Sequence, residues 1–138
     1  MNPPLFDHEK LRAYQEAIRF VTWVGPTIEK LPAKLAAKDQ LDRASTSIVL
    51  NIAEGNGKRS HPDRCRYLDI SRGSALESAA CLDVLVARCA LTSEDIVEGK
   101  TILHGVVSLV SGLIARFGGN VQEDQAPYGS ELVENENE

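Results

Sequence analysis

Apolar residues recur at helical spacing along most of the chain. Leu11, Tyr14, Ile18, Val21 and Val24 alternate by three and four positions, which predicts a first helix that Asp7 can cap. Gly25-Pro26 falls inside this pattern, because Ile28 and Leu31 continue it, so Pro26 is expected to kink or end the helix. Leu31-Pro32 marks the connection to a second helix, from about Pro32 or Lys38 to Glu54, with Leu41, Ala44, Ile48 and Ile52 as its core stripe. A third helix is expected from His61 to Cys89, with Leu68, Ala75, Leu82 and Cys89 on one stripe and Leu76, Ala79, Val84, Leu85 and Val86 widening it. Thr92-Ser93-Glu94-Asp95 reads as the start of a fourth helix, which runs to Phe117 and stops at Gly118-Gly119. No segment alternates as a strand would, and there is no internal repeat. The pattern therefore predicts an all-α fold, an antiparallel up-down-up-down four-helix bundle over residues 7–117. An extended lead-in, 1–6, precedes it, and an aperiodic acidic tail, 118–138, follows and is expected to be disordered.

The second and third helices meet in the most distinctive stretch. Ser47, Asn51 and Glu54 share a helical stripe, flanked by Ile48 and Ile52, so this polar stripe should face partly inward. Gly55 stands where a left-handed C-terminal cap is expected. Ser60-His61-Pro62-Asp63 supplies an N-cap serine, a first-turn proline and an acid three positions on. With so short a turn the two helices should pack antiparallel. Folding about Lys58 brings Gly73 level with Arg43 and predicts an Arg43–Glu77 pair, with Glu54 close to Arg59, Arg64 or Arg66. A carboxylate at Glu54 sits on the unfavourable end of the helix dipole by roughly 0.3–1 kcal/mol, which a neighbouring cation could offset.

The fourth helix carries apolar residues around most of its circumference, and the third carries more than one core face needs. A lone bundle leaves every helix an outer face, so this surplus predicts self-association. Gly105 and Gly112, seven apart, would let a neighbour approach closely. The longest apolar run, Ile102–Ala115, is interrupted by His104 and reads as too short for a membrane span. No basic-then-apolar leader opens the chain, so no signal peptide is expected.

Composition adds two points. Aromatics are only 5% of the 138 residues, so the core must be aliphatic. All 15 Lys and Arg precede residue 121, together with 14 of the 20 acids. The body is thus close to neutral (+1) and the tail is −6. Within the body, Lys58, Arg59, Arg64 and Arg66 make the turn between the second and third helices basic, a patch that could contact phosphates, although Asp63 and Asp69 lie among these bases. Cys65, Cys81 and Cys89 form no CxxC, and Cys81 and Cys89 would lie about 12 Å apart along one helix, too far to bridge. They read as buried thiols in a reducing compartment. His8, His61 and His104 are isolated from metal-binding partners, and no phosphate-binding loop, dinucleotide-binding glycine pattern or nucleophile elbow occurs. No cofactor, metal or enzymatic activity is expected.

The blocks Gln40-Leu41-Asp42-Arg43-Ala44, Ser47-Ile48, Asn51-Ile52-Ala53-Glu54-Gly55, Lys58-Arg59 and Gly73-Ser74-Ala75-Leu76-Glu77 resemble the four-helix-bundle family of 23S rRNA-intervening-sequence proteins, also called the S23 family. The resemblance covers roughly residues 5–117. It implies a bacterial, cytoplasmic four-helix bundle that assembles as a homo-oligomeric barrel, typically a pentamer, and it implies no defined biochemical role. A related branch, the accessory variability determinant of diversity-generating retroelements, forms a basic barrel that works with nucleic acid. The near-neutral body and acidic tail depart from that branch. Asn51, Glu54, Gly55, Gly73, Ser74 and Glu77 match the family's motif, with Arg43 and Ser47 beside them, and are expected to set helix spacing and a polar network. The expected role is a non-enzymatic scaffold that binds copies of itself and RNA or a nucleoprotein through the basic turn. The alternative is a purely protein-binding oligomeric module.

Overall fold

The computed structural model describes residues 3–124. These form four α-helices and, among the described residues, no strand: α1 (Arg12–Lys30), α2 (Ala36–Asn56), α3 (His61–Ala87) and α4 (Val97–Asp124). Short 3-10 turns, Asp7–Lys10 and Glu94–Ile96, precede α1 and α4. The core is aliphatic, as the scarcity of aromatics requires. Phe20, Leu41, Ile48, Ile52, Leu68, Leu82, Leu85, Leu103, Val106 and Val110 are all fully buried.

The starts of α3 and α4 follow local chemistry closely. The Ser60 hydroxyl accepts from the Asp63 amide, with Pro62 in the first turn of α3. Before α4, Thr92 and Asp95 cap each other: the Asp95 amide donates to Thr92 Oγ1 at 3.1 Å and the Thr92 amide donates to Asp95 Oδ2 at 2.8 Å. Those bonds hold the Asp95 carboxyl below its ordinary pKa. Asp7, by contrast, caps nothing as an N-cap residue. It begins the 3-10 turn, and the extended Leu11 separates that turn from α1.

Several expectations about ends and faces are corrected. Pro26 stays inside α1, which continues to Lys30. The buried stripe of α1 is Ala13, Ala17, Phe20 and Val24, while Ile18 is exposed and Leu11, Tyr14 and Val21 only border the core. Alanines at the contact let α1 approach closely, and one large ring fills the space between helices. α3 ends at Ala87, not Cys89. Cys89 is exposed with φ 64°, the single positive φ among the described non-glycine residues. It occupies the left-handed position of a Schellman turn, with the Ala90 amide donating to Leu85 O and the Cys89 amide to Val86 O, both at 2.9 Å. Cys89 is therefore no part of the apolar stripe, and of the three free cysteines only Cys81 is buried. α4 does not stop at Gly118-Gly119: its backbone remains helical through Asp124. The rest of the predicted tail, 125–138, lies outside the described residues.

The apolar surplus of α4 is largely absorbed within the chain, because α4 packs against both α1 and α3. Ile102, Leu103, Val106 and Val110 are buried, and Val107, Leu109, Leu113, Ile114 and Phe117 pack against them. Its exposed positions include Glu98, Lys100, Thr101, His104, Ser108 and Arg116, and also the apolar Val97. By length and mean hydropathy (1.5), Glu94–Gly118 would pass for a membrane span, a longer stretch than Ile102–Ala115. Packing on two neighbours buries part of this stretch and half-buries much of the rest, while Val97 near its start is exposed.

Gly99 shows how tightly α1 meets α4. It is buried, and a Cβ placed there would clash with the six-membered ring of Trp23, 2.3 to 2.9 Å from three of its carbons. Gly99→Ala must push the indole out of its site and should lower unfolding free energy by about 1–3 kcal/mol. Chemical denaturation monitored by tryptophan fluorescence checks this, since Trp23 is the only tryptophan.

Candidate functional site

The α2–α3 seam is the most extensive helix contact in the fold, and small residues make it. Gly55 is helical and buried within α2, not a left-handed cap. A Cβ on it would lie 3.0 Å from Tyr67 Cβ and 3.3 Å from the Arg64 carbonyl oxygen, so its role is close approach. The helix ends one turn-residue later, with Gly57 as C-cap in ordinary right-handed geometry (φ −86°). On α3, Ser71, Ser74 and Ser78 are buried at helical spacing. Each hydroxyl is satisfied. Ser71 donates across the seam to Ile48 O at 2.8 Å, Ser78 donates to Ser74 O at 2.9 Å, and Ser74 Oγ lies 2.8 Å from Ser47 Oγ. Asn51 Nδ2 completes the set, donating to Ser47 O at 2.9 Å and Ser47 Oγ at 3.0 Å.

Of the motif residues singled out in the sequence, Ser47, Asn51 and Ser74 thus form one network, and Gly55 sets the helix spacing. The others do not join them. Arg43 pairs with Asp39 on its own helix at 3.2 Å, and both are well exposed, so the expected Arg43–Glu77 pair is absent. Glu77 is exposed. Glu54 meets Lys58 at 3.7 Å, and not Arg59, Arg64 or Arg66. Gly73 is exposed, with nothing within 4 Å of where a Cβ would stand. α2 runs on through Gly55 to Asn56 and α3 begins at His61, so the chain reverses about two residues later than Lys58, with Ser47 facing Ser74 and Ile48 facing Ser71. That register still brings Arg43 level with Glu77, but both are exposed and Arg43 turns along its own helix to Asp39.

The basic turn is partly committed to the fold. Arg64 Nε donates to Lys58 O at 2.8 Å, and its guanidinium lies 4.9 Å from the centre of the Phe117 ring. Lys58 lies 4.9 Å from the centre of the Tyr67 ring. Arg66 pairs with Asp63 at 3.4 Å with both groups largely exposed, a contact worth little in water. Arg59 is exposed. Sequence reasoning missed Arg116, whose guanidinium also approaches Phe117, at 5.4 Å, while the His61 ring is 5.0 Å from it. Phe117 thus gathers cations from α3 and α4 at one end of the bundle. The only signal was an arginine beside a terminal aromatic, which becomes meaningful once α4 is known to return to the start of α3. Arg72, a further base on α3, donates to Ser111 Oγ at 2.9 Å and helps seat α4.

No cluster of three metal-ligating side chains occurs among the described residues. The thiols of Cys65 and Cys81 are pushed above their ordinary pKa, first by burial and then by Asp69 and Glu77 respectively, the opposite of activation. A shallow groove of about 300 Å³ runs between the start of α2 and the end of α3, lined by Leu35, Ala36, Ala37, Ala80, Cys81, Val84 and Leu85 among others. A second, more open one of about 610 Å³ lies beside the 2.8 Å Lys100–Asp83 ion pair.

The architecture is that of an all-helical bundle with packed seams and surface patches. Residues 9–112 match the family described as 23S rRNA-intervening sequence protein, and the chain belongs to that family. A solved structure from Bacteroides thetaiotaomicron VPI-5482, described as a protein with unknown function from the S23 ribosomal protein family, shares the fold. It is 21% identical with a TM-score of 0.69, over 74% of this chain and 97% of that one. No curated protein matches.

The seam yields a pair of contrasting expectations. Ser74→Ala removes a bond from a half-buried network and should cost about 1 kcal/mol or somewhat more. Glu77→Ala should stay within about 0.5 kcal/mol of wild type, as an exposed substitution does. Urea denaturation of the two variants distinguishes them.

Proposed function

We propose that this protein is a non-enzymatic, cytoplasmic scaffold that assembles with copies of itself and binds RNA through the basic end of the bundle. The observation that carries the RNA reading is the convergence of Lys58, Arg59, Arg64, Arg66 and Arg116 around the α2–α3 turn and Phe117. Phosphate groups are held by clustered cations without any need for a pocket, and repetition of the patch around a ring would strengthen the field. The up-down-up-down course of the helices is supported by contacts in which later positions on α2 meet earlier ones on α3, and later ones on α3 meet earlier ones on α4. Self-assembly is supported by exposed Leu50 on α2 and exposed Ile70, Leu76 and Val84 on α3, with unobstructed Gly73 among them. The family resemblance favours a pentamer. That same apolar surface favours the second reading, a protein-binding module without nucleic-acid contact.

A salt titration of RNA binding separates the two. Arg59, Arg66 and Arg116 are the cations to remove, because Arg64 is tied into the fold by its bond to the Lys58 carbonyl. Wild type should bind single-stranded RNA with an affinity that falls steeply with salt. The triple alanine variant should flatten the log–log slope by about 2, at roughly 0.7 per lost phosphate contact. No binding at low salt would remove the RNA reading and leave the protein-binding one.

A further inference from the structure

The segment before α1 has an unusual construction. The Leu5 amide donates to Glu9 Oε1 at 2.9 Å, the Phe6 ring stacks on His8 at 5.9 Å, and Asn56 Nδ2 at the end of α2 donates to Asp7 Oδ2 at 3.0 Å. These contacts fix the backbone, yet the side chains they hold out are 87% exposed at Leu5 and 62% exposed at Phe6, the two most exposed large apolar residues described. Ordering two such side chains in water gains nothing within one chain.

An apolar groove without an occupant lies elsewhere on the molecule, with Leu35, Ala36 and Ala37 on one wall and Ala80, Val84 and Leu85 on the other, and a volume of about 300 Å³ suited to two large side chains. Gln40, Glu77 and Arg88 also line it and supply polar groups beside the apolar walls. The arm cannot reach this groove in its own chain. Asp7 is tied to Asn56, at the far end of α2 from Gln40 and Leu35. That separation is about 24 Å along the helix, whereas Leu5 and Phe6 extend only about 7 Å beyond the tether.

We propose that Leu5 and Phe6 of one copy seat in the α2–α3 groove of a second copy. This contact rests on the self-assembly reading and makes it specific. Different surfaces of the two copies meet, so each copy offers one arm and one groove. The contact closes either as a reciprocal exchange of arms between two copies or by propagating around a ring or along a chain of copies.

The test uses two variants, both at exposed positions, so that folding is preserved and helicity can be verified by circular dichroism. Leu5→Ser/Phe6→Ser lacks the arm's side chains and keeps the groove; Val84→Lys charges the groove and keeps the arm. In light scattering at low micromolar concentration, wild type should exceed the single-chain mass of 15.0 kDa. Each variant alone should shift towards that mass, with dissociation weakened about tenfold or more in affinity. An equimolar mixture should form 1:1 pairs, because one variant's intact arm meets the other's intact groove. If the arm variant keeps the wild-type mass, or the mixture fails to pair, the arm contact is wrong while self-assembly stands. If wild type is a single copy, both fail.

Discussion

The close contact of α2 with α3 is the constraint on which the rest of the molecule depends. Gly55 lets the Tyr67 and Arg64 backbone come within van der Waals distance, and buried serines replace larger side chains along α3. Helices brought this close would bury hydroxyls at a cost, but every hydroxyl in the seam finds an oxygen partner, and Ser71 finds it on the opposite helix. The position of α3 then decides where α4 lies, through Arg72 to Ser111, Cys65 to Ile114 and Asp83 to Lys100. α1 closes the core, with Phe20 filling the centre and Trp23 laid over Gly99. Small residues in the seam and large ones around it are parts of one packing solution.

Helix number and the starts of α3 and α4 were legible from sequence because they depend on local chemistry. The Ser60 and Thr92-to-Asp95 caps are bonds between residues three apart, which spacing alone predicts. What failed depends on which helix lies opposite. A glycine at the end of an apolar pattern means a left-handed cap or a close neighbour, and only the presence of Tyr67 decides for Gly55. A cap there would place the reversal about two residues early. The Arg43–Glu77 pair is absent for another reason: Arg43 pairs along its own helix with Asp39. Likewise Ala13 and Ala17 carried less hydrophobic weight than Ile18, yet small side chains face the core because α1 sits close to it. On α4, α1 and α3 bury Ile102, Leu103, Val106 and Val110 and partly cover Val107, Leu109, Leu113, Ile114 and Phe117. The Gly99–Trp23 contact joins residues on different helices and left no local signal.

The basic end shows the same division between what a charge is and what it does. A count of cations treats Lys58, Arg59, Arg64 and Arg66 as equivalent. In the fold, Arg64 satisfies a backbone carbonyl and stacks on Phe117, Arg66 pairs weakly with Asp63, and Arg59 is exposed. Arg116 joins them from a distant part of the chain. The basic surface is therefore drawn from two helices, with Arg64 and Arg116 meeting at one aromatic ring. The exposed large apolar side chains lie mainly on α2, α3 and the segment before α1.

Native-state hydrogen exchange tests the primacy of the α2–α3 seam most directly. If the seam holds the fold together, amides from Ala44 to Gly55 and from Leu68 to Leu82 should exchange only through global unfolding, while α1 opens at lower free energy. Seam amides that exchange through partial opening, with α1 and α4 still protected to the global limit, would contradict the account.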